Sequence, residues 1–588
     1  MTNPTFDLPN ALSGWIRESA RDLPDFPENF DPVVRSADPR FGDFQANGVL
    51  PLAKSLRRNP REMAQSLVAA MARHPRIAGG GIGMEIAGPG FVNFTLGPAY
   101  LSAWASRFGE PGVLSEGVRH LYDGKRVVVD FSSPNTAKQM HVGHIRSTVI
   151  GEAIARLLAF CGADVVRDNH IGDWGTQFGL LLLACRRFGF DFDLPPAEAL
   201  PALEQLYRRG NDLVEADPEA REAARRELVE LQRGEAERTA LWEKINMISR
   251  AAFEDLYRRL GVRFDLTRGE SFYRDQVDLV YEELERFGIA TRSEGALVVF
   301  HPEHPRFNEQ PFIVRKSDGA SNYATTDLAT VLHRCRELGA REIVYVTDGR
   351  QQDHFEQLFL TVEKWFRAAG RPVPALRHVW FGTILGEGGK AIKTRSGGTV
   401  KLRDLLDEGV ERARVIVEEK NPGLAEEEKE RIAEVVGVGA IRYADLMQNR
   451  THDYVFSWDK MLSFDGNTAP YLLYAVARIH AIFRKAGLRP GQGEETADEF
   501  RTPEEIQLAR QLTQFPVALG QVVQDLRPHF LCTYLYELAN AFSGFYNANR
   551  VMADDPGERG RRLILCARTL LFLETGLHLL GIGTLERM

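Results

Sequence analysis

His141 and His144 stand three residues apart, with Val142 and Gly143 between them. Three-residue spacing puts two side chains on neighbouring positions of one helical turn. Gly143 has no Cβ, so a flat ring or sugar can approach the backbone closely. Just upstream lie Ser132, Ser133, Asn135 and Lys138, a run of hydroxyl, amide and ammonium groups. Imidazoles that donate hydrogen bonds, free backbone N–H groups and a helix dipole together favour anionic ligands. The chemistry such a set can do is to hold a nucleoside triphosphate and stabilise charge on a phosphate under attack.

The elements around these residues support that reading. Val127, Val128 and Val129 form a short apolar run ending in Asp130 and Phe131, as a buried strand does. After the polar turn, Val149, Ile150, Ala153, Ile154, Leu157 and Leu158 recur at helical spacing until Gly162. Strand, turn and helix N-terminus form the unit at which α/β sheets bind phosphate-bearing ligands. Asp164–Arg167 reads as the next strand, followed by the polar loop Asn169–Gly175, with His170 and Asp173 as secondary site candidates. Phe312–Val314 and Ile343–Val346 read as further strands of the sheet, each followed by a polar loop and a helical pattern.

His141-Val142-Gly143-His144 resembles the HIGH signature of class I aminoacyl-tRNA synthetases. The longer string from Phe131 to Thr148 resembles the arginyl-tRNA synthetases of bacterial type. The resemblance implies ATP-dependent activation of L-arginine and transfer to the 3′ end of tRNA(Arg). It implies a Rossmann-like parallel-sheet catalytic domain over 116–440, with a charged helical insertion at 190–260. It also implies an N-terminal α+β tRNA-contacting domain over 1–115 and an all-α anticodon-binding bundle over 441–588.

Carried onto this chain, the resemblance gives His141, Gly143 and His144 to ATP, and Asn135 and Lys138 to the reacting carboxylate and phosphate. Arginine is expected against Glu270 and Asp327, under Tyr323, with Gln351 near its α-amino end and Asn135 and His141 also facing it. Asp130 is a weaker candidate. A guanidinium offers five donors in a plane, so carboxylates suit it. Tyr323 and Asp327, four residues apart, would equally suit a packing pair at a helix start.

The second glycine-rich stretch, Gly386–Gly398, carries Lys390, Lys393 and Arg395. It is not a phosphate-binding loop of Walker type, because no Ser or Thr follows Lys390. It occupies the place of the family's KMSKS loop, with Thr394 in the slot of the second lysine. Lys393 and Arg395 are the expected cations there, with Lys390 behind them. For tRNA, the expected contacts are Phe44, Gln45 and Asn47 in the N-terminal domain, and Tyr471, Arg478 and Tyr546 in the helical one. Packing competes with RNA contact at each of these positions.

Composition sets the remaining bounds. A chain of 588 residues, 44% hydrophobic and 26% charged, reads as several globular domains. The net charge of −8 neither requires nor excludes RNA, which local Lys/Arg patches suffice to bind. Five cysteines without paired spacing indicate no zinc site or disulfide framework. The N-terminus lacks a signal-peptide pattern, and no apolar run is long enough to span a bilayer. A cytoplasmic monomer is expected, with Mg²⁺ entering on ATP and no dedicated metal site. The alternatives are a HIGH-type adenylyl transferase for another substrate, or a non-catalytic tRNA-binding relative.

Overall fold

The computed structural model describes every residue except 1–3, 80, 318, 320, 387, 391, 393–398 and 493–498. Near the N-terminus, strands β1 (Val34–Ser36), β2 (Phe44–Ala46), β3 (Ile82–Ala87) and β4 (Phe91–Leu96) form an antiparallel sheet in the order β1-β2-β4-β3. Helix Leu8–Ala20 buries Leu8, Leu12 and Ile16, spaced four residues apart so that they share one face.

The central unit is a five-stranded parallel sheet. Its strands are β5 (Arg126–Asp130), β6 (Asp164–Ile171), β7 (Leu266–Gly269), β11 (Glu342–Tyr345) and β12 (Ala375–His378), in the order β12-β11-β5-β6-β7. Parallel strands covered on both faces need apolar residues at successive positions, which is why Val127, Val128 and Val129 are all fully buried. The chain leaves β5 in one direction toward β6 and later returns on its other side to β11. That reversal opens a crevice at the carboxyl ends of β5 and β11, where ligands bind in sheets of this kind.

Three expectations need correction. Phe312–Arg315 is not part of the parallel sheet. As β10 it pairs antiparallel with β9 (Ala296–Val299), which pairs with β8 (Thr291–Ser293) in a separate small sheet. Ile313 is exposed there, as one face of a half-covered antiparallel sheet allows. Second, the C-terminal region is not purely helical: β14 (Tyr454–Val455) pairs in parallel with β13 (Ile384–Leu385). A two-residue strand leaves no periodic pattern to read. In addition, β6 runs on through Asn169, His170 and Ile171, which read as loop from their polarity alone.

Residues 196–259 form three helices, Pro196–Ala216, Pro218–Gln232 and Ala236–Arg259. Helix Glu426–Leu446 leads to the C-terminal bundle, which includes helices Ala469–Ala486, His529–Ala548 and Pro556–Leu579. The N-terminal unit is packed onto this bundle. Phe6 and Trp104 stack at 5.7 Å, both rings lie near Phe572, and Arg568 Nε donates to the Ala105 carbonyl at 2.6 Å. Among the described residues no helix is long and apolar enough to cross a membrane. All five cysteines are free thiols, four of them buried.

Candidate active site and RNA-facing surfaces

The turn after β5 is built under strain. Ser132, Ser133 and Ala137 all have positive φ, at 72°, 47° and 62°. Each such non-glycine residue costs about 1–3 kcal/mol and persists only where its surroundings over-determine it. Here they do. The Ser132 N–H donates to Ser147 Oγ at 2.8 Å, and the Ser133 N–H to Asn169 Oδ1 at 3.1 Å. The Ala137 N–H donates to Ser249 Oγ at 2.9 Å, and the Ser132 and Tyr257 hydroxyls meet at 2.8 Å. Ser249 and Tyr257 belong to the third insertion helix, so the insertion braces the turn.

The two histidines cap the helix Val142–Phe160 reciprocally. His141 is the N-cap, and its Nδ1 accepts from the Gly143 N–H at 3.1 Å. His144 Nδ1 accepts from the His141 N–H, also at 3.1 Å. With both Nδ1 atoms accepting, each neutral ring carries its proton on Nε2 and can donate it outward. Burial, together with the nearby Lys401, pushes the His141 pKa down. Burial and the neighbouring His141 push His144 to about 4. Both rings are therefore neutral donors at pH 7. A Cβ at Gly143 would stand 2.9 Å from Cε1 of His141, so any larger residue would push that ring from its capping position.

Arg146, one turn further along, is fully buried. It pairs with Asp445 at 3.2 Å and donates to the Gly382 and His452 carbonyls at 2.7 and 3.2 Å. It pins the signature helix to the segments flanking β13 and β14.

The crevice also holds carboxylates. Glu270 opens a helical turn directly after β7, and its carboxyl is pushed up to about 8 by burial, then by Asp327 and Asp173. Asp327, in helix Tyr323–Arg336, accepts from His354 Nε2 at 2.6 Å. Asp173 accepts from the backbone and the hydroxyl of Ser271 at 2.9 and 2.8 Å. It lies so close to Gly269 that a Cβ there would meet its carboxylate at 2.0 Å. Glu270 and Asp327 are thus brought together, while Asp173 fixes the turn that carries Glu270. Tyr323 stands largely exposed at the start of its helix, and Gln351 is exposed at the end of a short 3₁₀ turn. Asn135 bridges to Gly172, whose missing Cβ leaves room for the Asn135 Oδ1. His170 lies against the Tyr273 ring at 5.4 Å.

Asp130 is buried and already engaged within the sheet. It and Asp168 are register partners across β5 and β6, so two carboxylates sit side by side in the sheet. The fully buried Arg334 answers both, with Nη2 at 2.6 Å from Asp130 and 2.9 Å from Asp168. Burial works against that charge, but the two aspartates outweigh it and hold the guanidinium well above its ordinary value. Asp130 is structural.

Lys138 is exposed, its Nζ 5.4 Å above the Tyr207 ring. Lys390 is exposed in the hairpin closed by the Gly386 N–H and the Lys390 carbonyl at 2.7 Å. Lys393 and Arg395 lie outside the described residues. The loop returns beside the signature: the Val142 N–H donates to the Val400 carbonyl and the Leu402 N–H to the Met140 carbonyl, both at 3.0 Å.

Of the expected RNA contacts, Phe44 is completely buried in the N-terminal core, because its strand faces the packed side of the sheet. It packs and offers no surface. Gln45 donates to Asn93 Oδ1 at 2.7 Å, and Asn47 Oδ1 is buried without a partner among the described residues. Tyr471 donates to Asn540 Oδ1 at 2.7 Å. Arg478 lies over two rings, Tyr474 at 4.8 Å and Tyr546 at 5.5 Å. These three line a cavity of about 550 Å³ that also takes in Arg484, Lys485 and Arg587.

Residues 112–458 match the class I tRNA synthetase (R) catalytic domain, 10–96 the arginyl-tRNA synthetase N-terminal domain, and 472–588 the DALR anticodon-binding domain. The arginine–tRNA ligase of Laribacter hongkongensis is 44% identical, the match covering 97% of both chains. That of Azotobacter vinelandii is 45% identical over 95% of both. The arginyl-tRNA synthetase structure from Thermus thermophilus superposes with a TM-score of 0.82 at 28% identity, covering 99% of this chain and 100% of that one. The Plasmodium falciparum structure gives 0.83 at 27%, covering 100% of both.

The chain belongs to the class I arginyl-tRNA synthetases.

Within this synthetase family member, three contributors escaped the sequence reading. His354, bonded to Asp327, follows Gln351 closely in sequence but gave no separate signal. Tyr474 lies midway between Tyr471 and Arg478 at helical spacing, which would have found it. The insertion helix Pro196–Ala216 read as a solvated face, yet it sets Glu204 and Tyr207 against the signature turn. Nothing in its mixed charge pattern marks which side meets the site.

Proposed function

We propose that this chain is an arginine–tRNA ligase, activating L-arginine with ATP and transferring it to the 3′ end of tRNA(Arg). The observation that carries the reading is the pairing of two neutral histidine donors with an acidic pocket in which Arg250 reaches Asp173 at 3.8 Å but Glu270 has no cation of its own among the described residues. Glu270 makes no ion pair among the described residues, and burial first, then the neighbouring Asp327 and Asp173, push its carboxyl up. An arginine side chain supplies that cation.

In the first step an arginine carboxylate oxygen attacks the α-phosphorus of ATP. A new P–O bond forms, the bond to the β-phosphate oxygen breaks, and pyrophosphate leaves. The Nε2–H groups of His141 and His144 are free to donate to phosphate oxygens as their charge rises. Lys138 and the cations of the 386–398 loop, Lys390, Lys393 and Arg395, are the groups proposed to neutralise the departing pyrophosphate. Asn135 and Gln351 are proposed to orient the amino acid, with Tyr323 over its side chain. In the second step a terminal ribose hydroxyl of the tRNA attacks the arginyl carbonyl, and AMP leaves.

Among the described residues no group of three His, Cys, Asp or Glu side chains could hold a metal. Mg²⁺ is proposed to enter on the triphosphate, where phosphate oxygens supply its hard ligands. Residues 1–115, with Gln45 and Asn47, are proposed to contact the outer corner of the tRNA, 116–440 to do the chemistry, and 441–588 to bind the anticodon. Arg478 between two tyrosine rings supports the last role, since a cation and aromatic faces suit unpaired bases. Free thiols support a reducing cytoplasmic setting, and a monomer is proposed.

Arginine-dependent ATP–pyrophosphate exchange, measured with and without tRNA, tests the reading. Exchange that requires arginine upholds it. No exchange with arginine in either condition would remove the arginine assignment.

A further inference from the structure

We propose that Glu204, on the first helix of the insertion, is a positioning residue for adenylate formation, clamping Lys401 to the turn that enters the histidine signature. The inference rests on the functional reading above, and it gives the charged insertion a part in the chemistry.

The geometry is specific. Both Glu204 carboxylate oxygens lie 2.9 Å from Lys401 Nζ. One also accepts from Gln139 Nε2 at 2.8 Å, and the other from Arg208 at 3.0 Å. Gln139 stands two residues before His141, and Lys401 forms a backbone bridge with His141. Tyr207, three residues beyond Glu204 on the same helix, lies under Lys138. One face of this helix therefore seats Lys138, Gln139 and Lys401 together. The Glu204 side chain is largely buried, so the contact is shielded more than a surface pair would be.

The clamp has an electrical consequence at the histidines. The Lys401 charge disfavours protonation of both rings, and Glu204 opposes it at His141. Glu204 itself lies below its ordinary value: burial pushes it up, but hydrogen bonds from Lys401 and Gln139 outweigh that. The carboxylate thus fixes both the place and the strength of a positive charge beside the two phosphate-facing donors. It touches no reacting atom and acts through Lys401 and the turn. A misplacement of about 1 Å in such a site can cost up to about a hundredfold in rate.

The test is arginine-dependent ATP–pyrophosphate exchange by the full chain with tRNA present, for wild type, Glu204→Gln, Lys401→Met and the double variant. Glu204→Gln keeps the shape and loses the charge, and its kcat is expected to fall about tenfold. The arginine KM should stay within about twofold, because the carboxylates that bind the side chain lie elsewhere. Lys401→Met should show a similar loss, and the double variant should be no worse than the poorer single one, since both act through one contact. Glu204→Asp, which restores the charge with a shorter reach, should recover part of the rate. Unchanged kcat in Glu204→Gln, additive losses in the double variant, or a rise in arginine KM together with a lower Tm would each overturn the proposal. Wild type without arginine-dependent exchange would instead sink the functional reading itself.

Discussion

Two acidic clusters stand at the carboxyl ends of the same parallel sheet, and they differ in one residue. Asp130 and Asp168 are side by side across β5 and β6, and the chain places Arg334 between them. Glu270 and Asp327 face each other across the neighbouring crevice, with only a half-buried His354 on Asp327. The first cluster is closed around a guanidinium that is covalently part of the protein. The second is open, and burial, then Asp327 and Asp173, hold the Glu270 carboxyl near 8. Carboxylates that are buried and satisfied serve the fold. Buried carboxylates without a cation of their own are candidates for holding a cationic ligand.

The largest test of this contrast is at the closed cluster. Arg334→Met should cost about 3–5 kcal/mol in stability, because it leaves two buried carboxylates unpaired. Urea unfolding measures it, and adding Asp130→Asn and Asp168→Asn should return much of the loss. A small effect would mean that the closed cluster is no more satisfied than the open one.

At the histidine side of the crevice, His144→Ala should lower the exchange rate about 10²–10³-fold, the usual worth of one preorganised donor. tRNA binding, followed by filter retention, should be unchanged. Equal losses in both would indicate misfolding.

In the open cluster, Asp327→Ala should raise the arginine KM about 10–100-fold while leaving stability nearly intact. That is the reverse of the pattern at Arg334, and an unchanged KM would remove Asp327 from the site.

The gentlest probe is pH. A guanidinium needs Glu270 as carboxylate, whereas the free protein holds it protonated below about 8. Arginine binding at pH 7 should therefore release close to one proton. Affinity should tighten up to about tenfold per pH unit below 8 and level off above it. Calorimetry in buffers of differing ionisation enthalpy measures the proton, and Glu270→Gln should abolish it. For folding the sign is opposite to that of a salt-bridged acid. The unfolded chain ionises near 4.5 and the folded one near 8, so this group lowers stability as pH rises between them. Added arginine should oppose the loss.

Local pattern made part of this legible before any coordinates. Val127–Val129 announced a buried strand, and His141-Val142-Gly143-His144 announced a helix start, because both depend on neighbours a few residues away. The double capping by Nδ1 atoms was not legible, since it depends on ring orientation. Asp130 ranked behind Asp327 only through the family resemblance; no local pattern showed that Arg334 neutralises it. Phe44 read as a possible RNA contact because a three-residue strand shows too little alternation to reveal which way it faces.

The amino-acid order by itself determined most of the elements, the resemblance to a synthetase family and the residue types available to bind a nucleotide and a cation. Tertiary structure alone decided which carboxylates were neutralised from within. Arg334 is 204 residues from Asp130 in the chain, and Glu204 is 197 from Lys401. Charge interactions act through space over a few ångströms, so no spacing in sequence can disclose them.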